Sequence, residues 1–256
     1  MKGSIKICGV RVDMVQIPDV IKIMEGWIEK KEYGNYVAVA NANDVVIGKK
    51  MPQVRVAMNG SSLTVPDGIS IVLASRFYGF KLKRRVYGAE LMLEFLRRAQ
   101  AEGYTNFFYG STTETLNRLR EKLISNFPRL NIKGVYSPPF RELSEDEDRV
   151  IIEMINELSP DIVWVGLGCP KQQLWMYENK DKLKVPVMVG VGAAFDFLAG
   201  TKPQAPRWIR DNGFEWLFRL LTEPKRLWKR YLINGSLFVF CAVKELIANY
   251  FKNRQV

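Results

Sequence analysis

The sequence predicts an α/β fold: a Rossmann-like, doubly wound, mostly parallel sheet, followed by a helical C-terminal appendage suited to a membrane surface. Three observations predict it. Short β-rich runs alternate with helix-period segments over residues 1–198. Several runs are apolar almost throughout, as strands covered on both faces must be. Glycines recur where the runs end, and an open parallel sheet binds its ligands at that carboxyl edge.

The predicted strands are Tyr36–Ala40, Asn106–Tyr109, Ile132–Tyr136, Asp161–Gly166 and Pro186–Gly190. Between them the 3.6-residue period predicts helices over Asp44–Met51, Ile69–Tyr78, Glu90–Ala101, Thr113–Asn126 and Ser144–Leu158, the last opened by a Ser144/Glu147 capping box. The loops after the strands are then the places to look for a site. They are Asn41–Asn43, Thr64–Gly68, Tyr109–Ser111, Gly166–Gln172 and Gly190–Gly192. Any one of these glycines could simply be a left-handed turn residue; their clustering at successive strand ends favours a ligand approached by backbone.

Residues 199–256 differ in character and read as a separate appendage. They carry eleven Lys/Arg against four Asp/Glu, so +7 of the chain's net charge of +11 lies there. Pro203, Pro206 and Pro224 punctuate a Trp/Arg-rich stretch, and a long helical pattern runs from Pro224 to Lys252 with Tyr250 and Phe251 among its apolar positions. Basic groups flank it at Lys225, Arg226, Lys229, Arg230, Lys252 and Arg254. Such a helix suits a membrane interface or a partner helix, or packs on its own core. The longest uncharged apolar stretch, Tyr231–Val243, is shorter than the roughly 20 residues that span a bilayer, and Met1–Val15 has no secretion-signal pattern.

Composition narrows the chemistry. The 256 residues contain no histidine, which removes Ser-His-Asp and Cys-His nucleophile systems and His-ligated metals. Cys8, Cys169 and Cys241 have no paired spacing and suggest a reducing compartment. A general base must then be a carboxylate or, less often, Lys, Tyr or Cys. Asp146-Glu-Asp148 imitates an Asp-x-Asp metal motif, but it sits in an acidic run at a helix start, where acids complement the helix dipole. A basic surface alone does not choose between nucleic acid, anionic lipid and phosphorylated substrate.

Five segments then occur in a recognisable order. They are Leu63-Thr-Val-Pro-Asp67-Gly68, Arg85-Val-Tyr-Gly88, Gly166-Leu-Gly-Cys-Pro-Lys-Gln172, Gly190-Val-Gly-Ala-Ala-Phe-Asp196-Phe-Leu-Ala-Gly200, and an appendage series from Ala205 through Glu215-Trp216, Arg219, Glu223-Pro224 and Arg226 to Arg230-Tyr231. In this order they resemble the WecG/TagA/CpsF family of bacterial glycosyltransferases, glycosyltransferase family 26, over nearly the whole chain.

The resemblance implies an inverting transfer from a UDP-sugar to an undecaprenyl-diphosphate-linked sugar, with no metal or other cofactor. Typical donors are UDP-N-acetylmannosamine or its uronic acid, and the products are teichoic acid, common antigen or other surface polysaccharide. It further implies a protein peripheral on the inner face of the cytoplasmic membrane, self-association in some members, and no nucleic-acid partner. Asp67 stands at the family's base aspartate, though it could instead cap the helix starting at Ile69. Arg85 is expected at the diphosphate, where a guanidinium binds bidentately. Asn41, Thr64, Gln172, Asp196, Gly190 and Gly192 are expected to bind substrate, and Arg219, Arg226 and Arg230 to neutralise the leaving diphosphate. Two departures stand out: Val39 where many members carry Thr, and Gln173 where Glu is usual.

Two other function classes fit parts of the pattern. A nicotinamide-dependent dehydrogenase would share the sheet, although neither glycine loop completes Gly-x-Gly-x-x-Gly. A non-enzymatic module gripping membrane or nucleic acid would explain the basic tail alone.

Overall fold

In the computed structural model, which describes residues 3–252 (side chains through 247), the chain opens with a short antiparallel hairpin, β1 (Ser4–Ile7) and β2 (Val10–Asp13). Arg254 lies outside the described residues, as do the side chains of Tyr250, Phe251 and Lys252. Helix α1 (Ile17–Glu29) then leads into β3 (Asn35–Ala40), and two helices, α2 (Ala42–Lys50) and α3 (Pro52–Asn59), lead into β4 (Leu63–Pro66). Helices α4 (Ile69–Phe77) and α5 (Gly88–Glu102) precede β5 (Thr105–Gly110). The remaining strands alternate with single helices: α6 (Thr113–Asn126), β6 (Asn131–Tyr136), α7 (Glu145–Leu158), β7 (Ile162–Gly166), α8 (Lys171–Asn179), β8 (Val187–Gly190) and α9 (Ala194–Ala199).

Strands β3 to β8 form one six-stranded sheet, wholly parallel, in the order β4-β3-β8-β7-β5-β6. Helices cover both faces, which is why the central strands are apolar on both sides. One face buries Met24 of α1, Phe95 of α5, Leu119 of α6 and Phe195 of α9. The other buries Val45 of α2 and Met58 of α3 in one cluster, with Ile155 of α7 and Met176 of α8 in a second. The buried Trp164 indole is satisfied by Asn106 Oδ1 at 3.0 Å, so the middle of the sheet holds a paired polar group rather than an orphan.

All five predicted strands and all five predicted helices are present, with boundaries moved by a residue or two. Ser144 caps α7 with the reciprocal Glu147 bond. Asp146 pairs with Arg149 and Asp148 accepts from Trp175 Nε1, so both acids are occupied by helix and neighbour contacts. Thr64–Gly68 is predicted as a loop, whereas Leu63–Pro66 is the edge strand β4. Four residues ending in proline give too short an alternation to register as a strand, and parallel pairing with β3 supplies the rest.

Close packing at the strand ends requires glycine at position 110. Gly110 has φ +120°, and a Cβ there would lie 2.6 Å from the Gly166 carbonyl carbon. Gly110→Ala is expected to cost about 2–4 kcal/mol of stability, read as a lower denaturant midpoint with an unchanged slope. A fall smaller than about 0.5 kcal/mol would show that the β5 and β7 ends are free to separate.

After a loop over 201–206 the described chain is mostly helical: α10 (Arg207–Asp211), α11 (Glu215–Thr222), α12 (Pro224–Trp228), a π-helical segment Lys229–Asn234, and α13 (Gly235–Lys252). The single helix predicted from Pro224 is therefore widened at Lys229–Asn234, where side-chain bonds from Asn234 to Asn43 and Lys50, each 2.8 Å, tie the wide turn to α2. One stripe of α13, comprising Phe238, Cys241 and Ala242, packs on the hairpin and α2. Leu232, Phe240, Val243 and Ile247 remain exposed. No described helix is long and apolar enough to cross a membrane.

Candidate active site

The carboxyl ends of β3, β4, β5, β7 and β8 open into one cleft of about 1240 Å³, roofed by α11, the π segment and α13. The volume exceeds that of most single-ligand pockets and leaves room for more than one small molecule. Asn41, Asp67, Arg85, Gln172, Gly190, Gly192, Asp196, Arg219, Arg226 and Arg230 all line it. Thr64 does not. Its side chain is fully buried within β4, where the hydroxyl donates to Met58 O at 2.9 Å and lies 2.8 Å from Ser61 Oγ. Strand alternation turns position 64 away from the cleft, so the expected substrate contact is replaced by a packing role.

Asp67 follows β4 directly, and its N–H donates to Ala40 O at 2.7 Å, which fixes the residue beside the end of β3. Gly68, not Asp67, caps α4, and no side chain bonds that helix start. The carboxylate is thus left for other work. Its Oδ1 is buried without a hydrogen bond and lies 3.6 Å from Arg85 Nη1. Burial raises its pKa to about 7, against the lowering influence of Arg85. Glu215 and Asp44 push it further up, and Arg230 pulls it down.

Arg85 is placed by Val86, whose N–H donates to Pro66 O at 2.7 Å, and by stacking of its guanidinium on Tyr87 at 4.4 Å. Its Nη2 bonds Glu215 of α11, so one cation bridges a core carboxylate and an appendage carboxylate. Burial opposes the Arg85 charge, but Asp67 and Glu215 outweigh it and hold its pKa above the ordinary value.

The other predicted groups divide by how far they are already engaged. Asn41 caps α2, its Oδ1 accepting from Asn43 N–H at 3.0 Å, while still lining the cleft. Gln172 is nearly buried, and its Oε1 accepts from Gly168 N–H at 3.1 Å. A Cβ on Gly190 would come within 3.0 Å of its Nε2, so this amide organises the β7 and β8 loops as well as facing the cleft. Asp196 pairs with Lys202, and Arg226 pairs with Glu223 at 2.6 Å. Arg219 lies over the Phe197 ring at 5.2 Å, and Arg230 lies 5.8 Å from the Tyr231 ring. The Nε atoms of both are buried without a hydrogen-bond partner, an unusual state for a guanidinium donor and one an anion would relieve.

Five further residues line the cleft that the sequence alone does not single out: Asp44, Tyr87, Cys169, Lys202 and Glu215. Tyr87 and Glu215 stand inside the quoted motifs, which was the available signal. Asp44 and Lys202 are ordinary charged residues until the fold brings them to the cleft. Burial, and then Asp44, raise the Cys169 thiol well above its usual range, so it is a neutral wall and not a nucleophile.

The chain matches the sequence profile of the "Glycosyl transferase WecG/TagA/CpsF family" over residues 5–252. Among curated relatives, the N-acetylglucosaminyldiphosphoundecaprenol N-acetyl-beta-D-mannosaminyltransferase of Staphylococcus aureus (strain NCTC 8325 / PS 47) is 28% identical over 246 residues, covering 96% of this chain and 95% of the relative. The enzyme of the same name from Bacillus spizizenii (strain ATCC 23059 / NRRL B-14472 / W23) is 29% identical over 199 residues, covering 78% of this chain and 75% of the relative.

Proposed function

Because this chain belongs to the WecG/TagA/CpsF family and is therefore a glycosyltransferase, we propose that it moves N-acetylmannosamine, or a related hexose or uronic acid, from a UDP-sugar to a sugar on undecaprenyl diphosphate. Membership sets aside the oxidoreductase and the non-enzymatic module. The relatives' printed names supply the acceptor class and the mannosaminyl group. The observation that carries the mechanism is the Asp67 carboxylate, its Oδ1 buried without a hydrogen bond, in a cleft where the Nε atoms of Arg219 and Arg230 are likewise buried without hydrogen-bond partners.

In that mechanism Asp67 takes the proton of the acceptor hydroxyl as its oxygen attacks the anomeric carbon from the face opposite the diphosphate. The bond from anomeric carbon to diphosphate oxygen breaks, and UDP departs with the electron pair. Inversion follows from the single displacement. Arg85, Arg219 and Arg230 stabilise the charge that develops on the leaving diphosphate, the role a divalent ion fills elsewhere. The appendage of residues 199–256 completes the cleft and holds the protein at the inner membrane face. Supporting this are exposed Trp208, Leu221, Leu232 and Phe240 among the basic residues of that segment.

The test is UDP release from a panel of UDP-sugars, with an undecaprenyl-diphosphate-GlcNAc acceptor, with and without EDTA. Acceptor-dependent release that survives EDTA is expected. Complete loss with EDTA, restored by a divalent cation, would remove the metal-free mechanism.

A further inference from the structure

Glu215 opens α11 on the appendage, yet its side chain is only 8% exposed and its partner belongs to the core. It bonds Arg85 Nη2, while the same guanidinium reaches Asp67 only across 3.6 Å from Nη1, beyond hydrogen-bond distance. One cation therefore stands between two carboxylates and is committed to the one that does not react. We propose that Glu215 is a positioning residue: by holding Arg85 it keeps that cation from closing onto Asp67, and so leaves the base free to take the acceptor's proton. This rests on Asp67 as the base and names the appendage group that prepares it.

Two physical arguments point the same way. An Arg–carboxylate pair at full hydrogen-bond contact would draw the Asp67 carboxylate into an ion pair and lower its affinity for a proton. Glu215 prevents that geometrically, and its own negative charge acts on Asp67 in the same direction. The other groups acting on Asp67 are Asp44 of α2, Arg230 of the π segment, and Tyr87, whose ring carries Arg85. None of these holds Arg85 by an ion pair. Because Glu215 lies on α11, the base is prepared only when the appendage is docked, which couples closure of the cleft to the readiness of its chemistry.

The experiment follows the Asp67 carboxyl directly. Full-length protein labelled with carbon-13 aspartate is titrated by NMR, and Asp67 is assigned by the signal missing from Asp67→Asn. A midpoint near 7 is expected for the unsubstituted protein, and Glu215→Gln should move it toward acid by about one pH unit or more. Glu215→Ala should move it likewise and serves if the amide variant does not fold. Asp211→Asn removes a different core–appendage ion pair, Arg84–Asp211 at 2.8 Å on the surface, and should leave the midpoint in place. An Asp67 midpoint unmoved by loss of Glu215, or moved equally by Asp211→Asn, overturns the proposal. The acid limb of kcat/KM is measured in the same variants. If the carboxyl midpoint shifts but the kinetic limb does not, Glu215 acts on Asp67 as proposed and Asp67 is not the base.

Discussion

Asp67→Asn is expected to lower turnover by about 10²–10⁴-fold while leaving the fold intact. The amide keeps the shape of the side chain and cannot accept the acceptor's proton. In the unsubstituted enzyme the base works only when ionised, so kcat/KM should fall about tenfold per pH unit below about 7. Stability should move in the opposite sense. The folded-state pKa is raised above the ordinary carboxylate value of 3.8, so between about pH 4 and 7 the folded chain holds a proton that the unfolded chain has lost. Stability therefore declines as pH rises through that window. Asp67→Asn never ionises, escapes this cost, and at pH 8 should be more stable than the parent by up to roughly 4 kcal/mol. Thermal melts at pH 5 and pH 8 measure the difference. Equal melting shifts at both values, or an unaffected turnover, would remove Asp67 from the role of a buried base.

Arg219→Ala and Arg230→Ala should each lower kcat/KM by about 10²–10³-fold, with most of the loss in kcat. Their Nε donors are buried without a hydrogen-bond partner from the protein, so a developing diphosphate charge gains contacts that no other group uses. Arg226→Ala should cost less, because its guanidinium is already shared with Glu223. The order of effects is the informative result. If Arg226 proved the most costly of the three, the leaving group would sit nearer α12 than the π segment, and the diphosphate site would have to be redrawn.

The paired roles of Arg85 show why some of this was legible in the sequence and some was not. Its place in Arg85-Val-Tyr-Gly88 marked it as an anion-binding group. Its engagement by Glu215, 130 positions away, depends on how α11 seats over the sheet. Asn41 and Gln172 were likewise found as strand-end residues, but their amides also hold their own loops in shape. Thr64 was misplaced because neighbours along a strand face opposite sides, and the register of a four-residue strand is not fixed by so few residues. The tail shows the same limit. Its apolar positions cover more than one stripe, and only packing separated Phe238 and Cys241, buried against the core, from Leu237 and Ile247, left exposed.

The sequence by itself determined the alternation of strands and helices, the parallel sheet, the chain's place among its relatives, and the side chains available for acid–base and anion chemistry. Those follow from local periodicity and residue type, which neighbouring positions record. Tertiary structure alone decided that an appendage carboxylate would occupy the core's arginine, that the helix after Pro224 would widen at Lys229–Asn234, and that Asp67 would be buried enough to titrate near neutrality. Each of these is a balance of desolvation and charge among groups distant in the chain, and such balances are set only when the fold brings those groups together.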